Sequence, residues 1–128
     1  MTDRVVDASA IVALLFNELT RDEVARHLSG FSLRAPNLIR FEVASACLKK
    51  IRAAPRQQQA LLGAFSLLDD LSISSDAVDL DGAIDLAQLT KLSLYDASYL
   101  WLARALGVEL VTLDDKLARA DEALRGRS

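Results

Sequence analysis

A chain of 128 residues with 52% hydrophobic and 26% charged side chains excludes the disordered, fibrous and disulfide-scaffold classes, and buries about two-thirds of the surface its unfolded form exposes. A net charge of −3 supplies no global positive field, so any attraction for a polyanion must be local. The lone cysteine, Cys47, permits no internal disulfide and sits in an apolar helical pattern, which fits a reducing, cytoplasmic setting.

Arg4 to Asp7 reads as a short buried strand that stops at a carboxylate, and Ala8 to Phe16 continues as an apolar helix. That apolar run is far below the roughly 20 residues a bilayer span needs, and neither a membrane span nor a signal peptide is expected. A second helix follows Thr20, with Asp22 and Glu23 in its first turn, and ends near Gly30. Ser32 to Ala35 is a second strand candidate. Pro36 then opens a helix predicted to bury Phe41, Ala44, Leu48 and Ile51, with Glu42, Ser45 and Lys49 on the adjoining face.

Pro55 marks a further start, and Gln57 to Leu71 carries Leu61, Phe65 and Leu68 at helical spacing. A third short strand is expected around Ile73. Asp79 to Leu92 reads as an amphipathic helix, and Tyr95 to Leu106 is apolar nearly all round, as an interior helix would be, with Gly107 ending it. Glu109 to Thr112 is the fourth strand candidate. Alternation makes the chain leave the sheet at about Leu113, with Asp114 on the edge and Leu117, Ala120 and Leu124 along a last helix.

Strands alternating with helices predict an α/β fold, a short twisted parallel sheet with helices on both faces, in a single domain spanning residues 1–128. In such sheets ligands bind outside the carboxyl ends of the strands, where Asp7 and Asp114 lie. Each acid also has an ordinary role. Asp7 can cap the first helix, while Ser93 with Asp96 and Thr112 with Asp115 match capping boxes, which makes Asp115 a structural residue and Asp114 a site residue. Together, Asp7, Glu42, Asp96 and Asp114 would form a repulsive cluster that stays ionised only beside a cation, and all-oxygen donors favour Mg²⁺ or Mn²⁺ over zinc. Lys49, Lys50, Arg52 and Arg56 are the local basic cluster that could meet RNA, or simply a solvated helix end. His27 has no site partner in the pattern.

The segments Val6 to Leu15, Phe41 to Ala46, Leu94 to Tyr99 and Leu110 to Asp114 resemble the four motif blocks of PIN-domain ribonucleases, in order and at family spacing across essentially the whole chain. The nearest resemblance is to VapC toxins of toxin–antitoxin pairs. It implies a PIN-like three-layer fold, Mg²⁺-dependent (or Mn²⁺-dependent) endoribonuclease activity, a homodimer, an RNA substrate such as tRNA or rRNA, and a small VapB-type antitoxin. By position, Asp7, Glu42 and Asp96 match the family's main acids, Asp114 its more variable fourth, and Ser9 and Thr112 its supporting hydroxyls. On that reading all four acids are metal-site residues: Asp7 and Asp96 hold the principal ion, Glu42 orients or deprotonates water directly or through a second ion, and Asp114 completes the second-ion site. The alternatives are a PIN-fold processing nuclease without a toxin role and a receiver-type signalling domain. The receiver pattern expects paired acids after the first strand and a lysine after the last, where this chain has Val6-Asp7-Ala8 and Thr112-Leu113-Asp114.

Overall fold

The computed structural model describes residues 2–126. Four short strands, β1 (Asp3–Val6), β2 (Ser32–Pro36), β3 (Ser74–Asp76) and β4 (Leu110–Val111), pair entirely in parallel in the order β3-β2-β1-β4. Seven α-helices connect and cover them: α1 (Ala8–Leu15), α2 (Arg21–Leu28), α3 (Leu38–Ala53), α4 (Gln58–Ser66), α5 (Leu80–Thr90), α6 (Leu94–Leu106) and α7 (Asp115–Arg125). Val5 and Val6, adjacent on β1 and therefore on opposite sheet faces, are both fully buried, as a strand covered by helices on each side requires. The predicted α/β, three-layer fold is the one observed.

α6 packs against β1, β2 and β4 and also against α5 and α7, whereas α1 packs with α2 and α3. Its interior placement follows from its composition, with Ala97, Ser98, Tyr99, Leu100, Leu102 and Ala103 all buried. α5 approaches it closely through Gly82, where a Cβ would come within 2.5 Å of the Trp101 indole nitrogen. Gly107, at φ 68°, takes the left-handed conformation that ends α6 and returns the chain to β4.

Several details differ from the sequence reading. Pro36 closes β2 instead of opening the helix, which begins at Leu38. Gln57 to Leu71 is not one helix: a 3-10 turn at Pro55–Gln57 precedes α4, and a second one, Leu67–Leu71, follows it. α3 does not bury the predicted stripe. Phe41 is 72% exposed and Leu48 45%, while Ile39, Val43 and Cys47 face the core. Both stripes are apolar and both repeat at helical spacing, so the helix is weakly amphipathic. A single residue, Asn37, separates β2 from α3. The last strand is also shorter than predicted, because Thr112 leaves the ladder to bond Asp7 and the Asp114 amide.

Candidate active site

β1 stops at Asp7 because that residue begins to serve the helix that follows. Its backbone is extended and its Oδ1 accepts from the Ala10 amide, capping α1. The neighbouring strand fixes the other oxygen. Val6 pairs with Val111, so the next residue on β4's side, Thr112, comes beside Asp7 and donates its hydroxyl to Oδ2 at 2.5 Å. Ser9, two residues into the turn, donates to Oδ1 at 2.7 Å. Each hydroxyl has a single hydrogen, and both are spent on Asp7, so the 3.4 Å approach of Ser9 to Thr112 is a contact without a donor.

The same hydroxyls accept as well. The Leu113 amide donates to Ser9 at 2.9 Å and the Asp114 amide to Thr112 at 3.0 Å, which ties the start of α7 to the start of α1. Asp114 itself caps α7, its Oδ1 accepting from the Leu117 amide at 2.8 Å. Here the predicted capping box is corrected. Asp115 is the first residue of α7 and exposed, and Thr112 is spoken for by Asp7, so the cap falls to Asp114, two positions later than expected. The Ser93 cap is as read from sequence, accepting from the Asp96 amide at 3.1 Å.

Asp96, in the first turn of α6, and Glu42, in the second turn of α3, face the same edge. Their proximity is recorded in their mutual charge effects. Burial pushes the Asp7 carboxyl above its ordinary value against three hydrogen bonds, and Asp96 adds to the rise. Burial also raises Glu42, with further contributions from Asp96 and Asp7. Asp96 is raised by burial and by the charge of Asp114. Asp7, Glu42 and Asp96 are thus brought within one another's fields, and Asp114 joins the group through Asp96, at the carboxyl edge of β1 and β4 where α/β sheets place their ligands.

Among the described residues, no three His, Cys, Asp or Glu side chains converge closely enough to hold a metal ion by themselves. The donor set nonetheless suits a hard ion that retains water. Mg²⁺ is commonly bound through one or two carboxylates, with water and substrate phosphate supplying the remainder. The carboxylates here are oxygen donors braced by hydroxyls, and burial disfavours their charged form unless a cation is near.

The basic residues contribute little at this edge. Lys50 is engaged with Glu18 at 3.1 Å and lies over the Phe16 ring. Lys49 begins the last part of α3, roughly 10 Å along the axis from Glu42 at 1.5 Å per residue. His27 is exposed, and its main-chain oxygen accepts from Arg4. Cys47 is buried, as expected, with its thiol directed to the Leu61 carbonyl and its pKa pushed up by burial.

Comparison with known proteins places this geometry. The PIN domain family model matches residues 4–123. The chain belongs to the PIN-domain family. It is 35% identical over 125 residues to a protein named Ribonuclease VapC3 from Pyrobaculum aerophilum, covering 94% of this chain and 95% of that one. Among solved structures it resembles PAE2754 of the same organism, with a TM-score of 0.75 and 27% identity over 98% of this chain and 94% of the other. VapC20 of Mycobacterium tuberculosis, described as a sarcin-ricin loop cleaving toxin, shares the fold at a TM-score of 0.66 and 16% identity, over 92% and 95% of the two chains. The PIN match displaces the receiver-type alternative.

Within this PIN domain two side chains at the acid edge escaped the sequence reading. Tyr99 donates its hydroxyl to Glu42 Oε1 at 2.6 Å. Lys116 lowers Asp96 in partial opposition to burial, and its ammonium donates to the Lys91 carbonyl at 3.0 Å. Helical spacing held a clue to the first, because Tyr99 follows Asp96 by three residues and shares its face. Nothing local marks Lys116, whose relevance depends on how α7 lies beside α6.

Proposed function

We propose that this chain, as one PIN domain spanning residues 1–128, is a Mg²⁺-dependent endoribonuclease and the toxin of a VapBC-type pair, with Mn²⁺ able to substitute. The observation that carries the reading is the gathering of Asp7, Glu42, Asp96 and Asp114 at the carboxyl edge, where burial and mutual repulsion raise three of them. Asp7 and Asp96 are the ligands of the principal ion, and Asp114 belongs to a second-ion site. When bound, a divalent ion supplies charge stabilisation on phosphate oxygens and lowers the pKa of water. Glu42, with Oε2 left over from its bond to Tyr99, orients the attacking water and accepts its proton. Ser9 and Thr112 hold Asp7 in one orientation throughout.

The substrate is RNA, with tRNA or rRNA the natural targets of such a toxin, met in the cytoplasm. Homodimerisation and capture of a VapB-type antitoxin are supported by the apolar side chains left outside the core near the acid edge, with Phe41, Leu80 and Tyr95 each more than half exposed. Purified protein should cut RNA in Mg²⁺ and stop when EDTA is added. Cleavage undiminished by EDTA overturns the metal assignment. Expression should arrest growth and a co-expressed small partner should relieve it. A harmless, strictly monomeric chain that still cuts RNA is a processing nuclease.

A further inference from the structure

α6 serves the acid edge twice. Asp96 lies in its first turn, and Tyr99, three residues on, rises from the same helix face. Tyr99 is the largest fully buried side chain, at 1% exposure, yet its polar end is directed to a carboxylate on a different helix. No other hydrogen bond among the described residues holds the Glu42 carboxylate, and the charges of Asp7 and Asp96 both oppose its ionised form. A half-buried glutamate with three rotatable bonds, repelled from within, would swing outward unless something gripped it.

We propose that Tyr99 is a positioning residue of the nuclease, whose hydroxyl grips Glu42 Oε1 and keeps the carboxylate at the acid edge with Oε2 free for water or an ion. The inference rests on the role given to Glu42 above. The choice of phenol has a physical reason. A hydrogen bond from a neutral donor to a carboxylate is short and strong, but it leaves the negative charge in place. Lysine or arginine at the same position would neutralise the glutamate, and arginine would occupy both oxygens. One hydroxyl hydrogen satisfies one oxygen only. A phenol ordinarily titrates at about 10, so at neutral pH the hydroxyl keeps the hydrogen it donates.

The test compares Tyr99→Phe, Glu42→Gln and the double variant in single-turnover cleavage of total tRNA and of rRNA, with enzyme in excess. Tyr99→Phe should lower the maximal rate by about 10- to 100-fold, the loss typical of removing a partner of a metal-site ligand, with the half-saturating enzyme concentration unchanged. Mn²⁺ affinity, read by calorimetry without RNA, should fall at least several-fold in the same variant. The double variant should be no slower than Glu42→Gln alone. If Glu42→Gln abolishes cleavage while Tyr99→Phe matches wild type in rate and Mn²⁺ affinity, the positioning role is wrong and the role of Glu42 stands. If Glu42→Gln cleaves normally, both fall.

A measurement with the hydroxyl in place guards against misfolding of the Phe variant. The chain has two tyrosines, so Tyr95→Phe, at an exposed position, leaves Tyr99 alone. Its ultraviolet Raman doublet should show a strong donor, and Glu42→Gln should shift it. An unmoved doublet overturns the proposed grip.

Discussion

Two groups of carboxylates lie on the same small sheet and are treated in opposite ways. Across β1, β2 and β3, the guanidinium of Arg34 takes Asp76 with two hydrogen bonds, at 2.9 and 2.6 Å, and Asp3 with a third at 3.3 Å. One cation therefore ties three adjacent strands, and it holds the Asp76 carboxyl below its ordinary value. At the carboxyl edge of β1 and β4, four acids meet neutral hydroxyls and amides, and three of them are pushed upward. Lys116 offsets this only in part. Where carboxylates serve the fold, a side chain supplies their counter-charge. At the acid edge no side chain supplies a full counter-charge, and the proposed role of these acids in holding a cation draws on that deficit.

The sharpest way to break this contrast is to neutralise the acid edge. Asp7→Asn should lower Mg²⁺-dependent cleavage on the order of 100-fold or more, since even the outer partners of metal ligands are worth 10- to 100-fold. Its thermal midpoint should hold or rise. Asparagine caps a helix about as well as aspartate, and the substitution removes a buried charge from a repulsive group. A variant that unfolds, with normal turnover in the surviving fraction, would make Asp7 a capping residue alone.

A smaller effect separates the capping of α7 by Asp114 from its proposed role at the site. Asp114→Ala should reduce stability by about 1 kcal/mol through the lost cap of α7 and also lower turnover. Asp114→Asn should keep the cap and lose turnover only. Asp115→Asn should change neither by much, because Asp115 is exposed and contributes at most about 0.3–1 kcal/mol through the helix dipole. Denaturant midpoints and cleavage rates of the three variants decide the matter, and a stability loss in Asp115→Asn larger than in Asp114→Ala would restore the capping box read from sequence.

The mildest perturbation lies at the balanced group. Arg34→Gln should lower the thermal midpoint with cleavage at saturating Mg²⁺ retained. Because Asp76 titrates below its ordinary 3.8 in the folded chain, the pair's stabilisation is complete above that value and is lost as pH falls through the lower folded pKa. The wild-type advantage over Arg34→Gln should accordingly be constant near neutrality and vanish in acid. An advantage that grows as pH falls through that window would contradict the pairing.

Local pattern was enough to place the strand stopping at Asp7, the interior helix read as Tyr95 to Leu106 and observed one residue longer, the Ser93 cap and the four acids on their elements. These are decided by neighbours within a few residues: alternation, helical spacing and end signals act over one or two turns, and parallel order follows from helices between strands. What the chain brings together from afar was not legible in that way. The buried face of α3 depended on how the helix packs against α1, α4 and β2. The choice of Asp114 over Asp115 as a cap depended on Thr112 being drawn to Asp7, 105 residues away. The grip of Tyr99 on Glu42 spans 57 residues and two helices, and the field of Lys116 at Asp96 exists only because α7 packs beside α6. Sequence determined which groups were available and on which elements. Packing determined which hydrogen each carboxylate receives, because a hydroxyl has one to give and only the assembled fold sets which acceptor lies within reach.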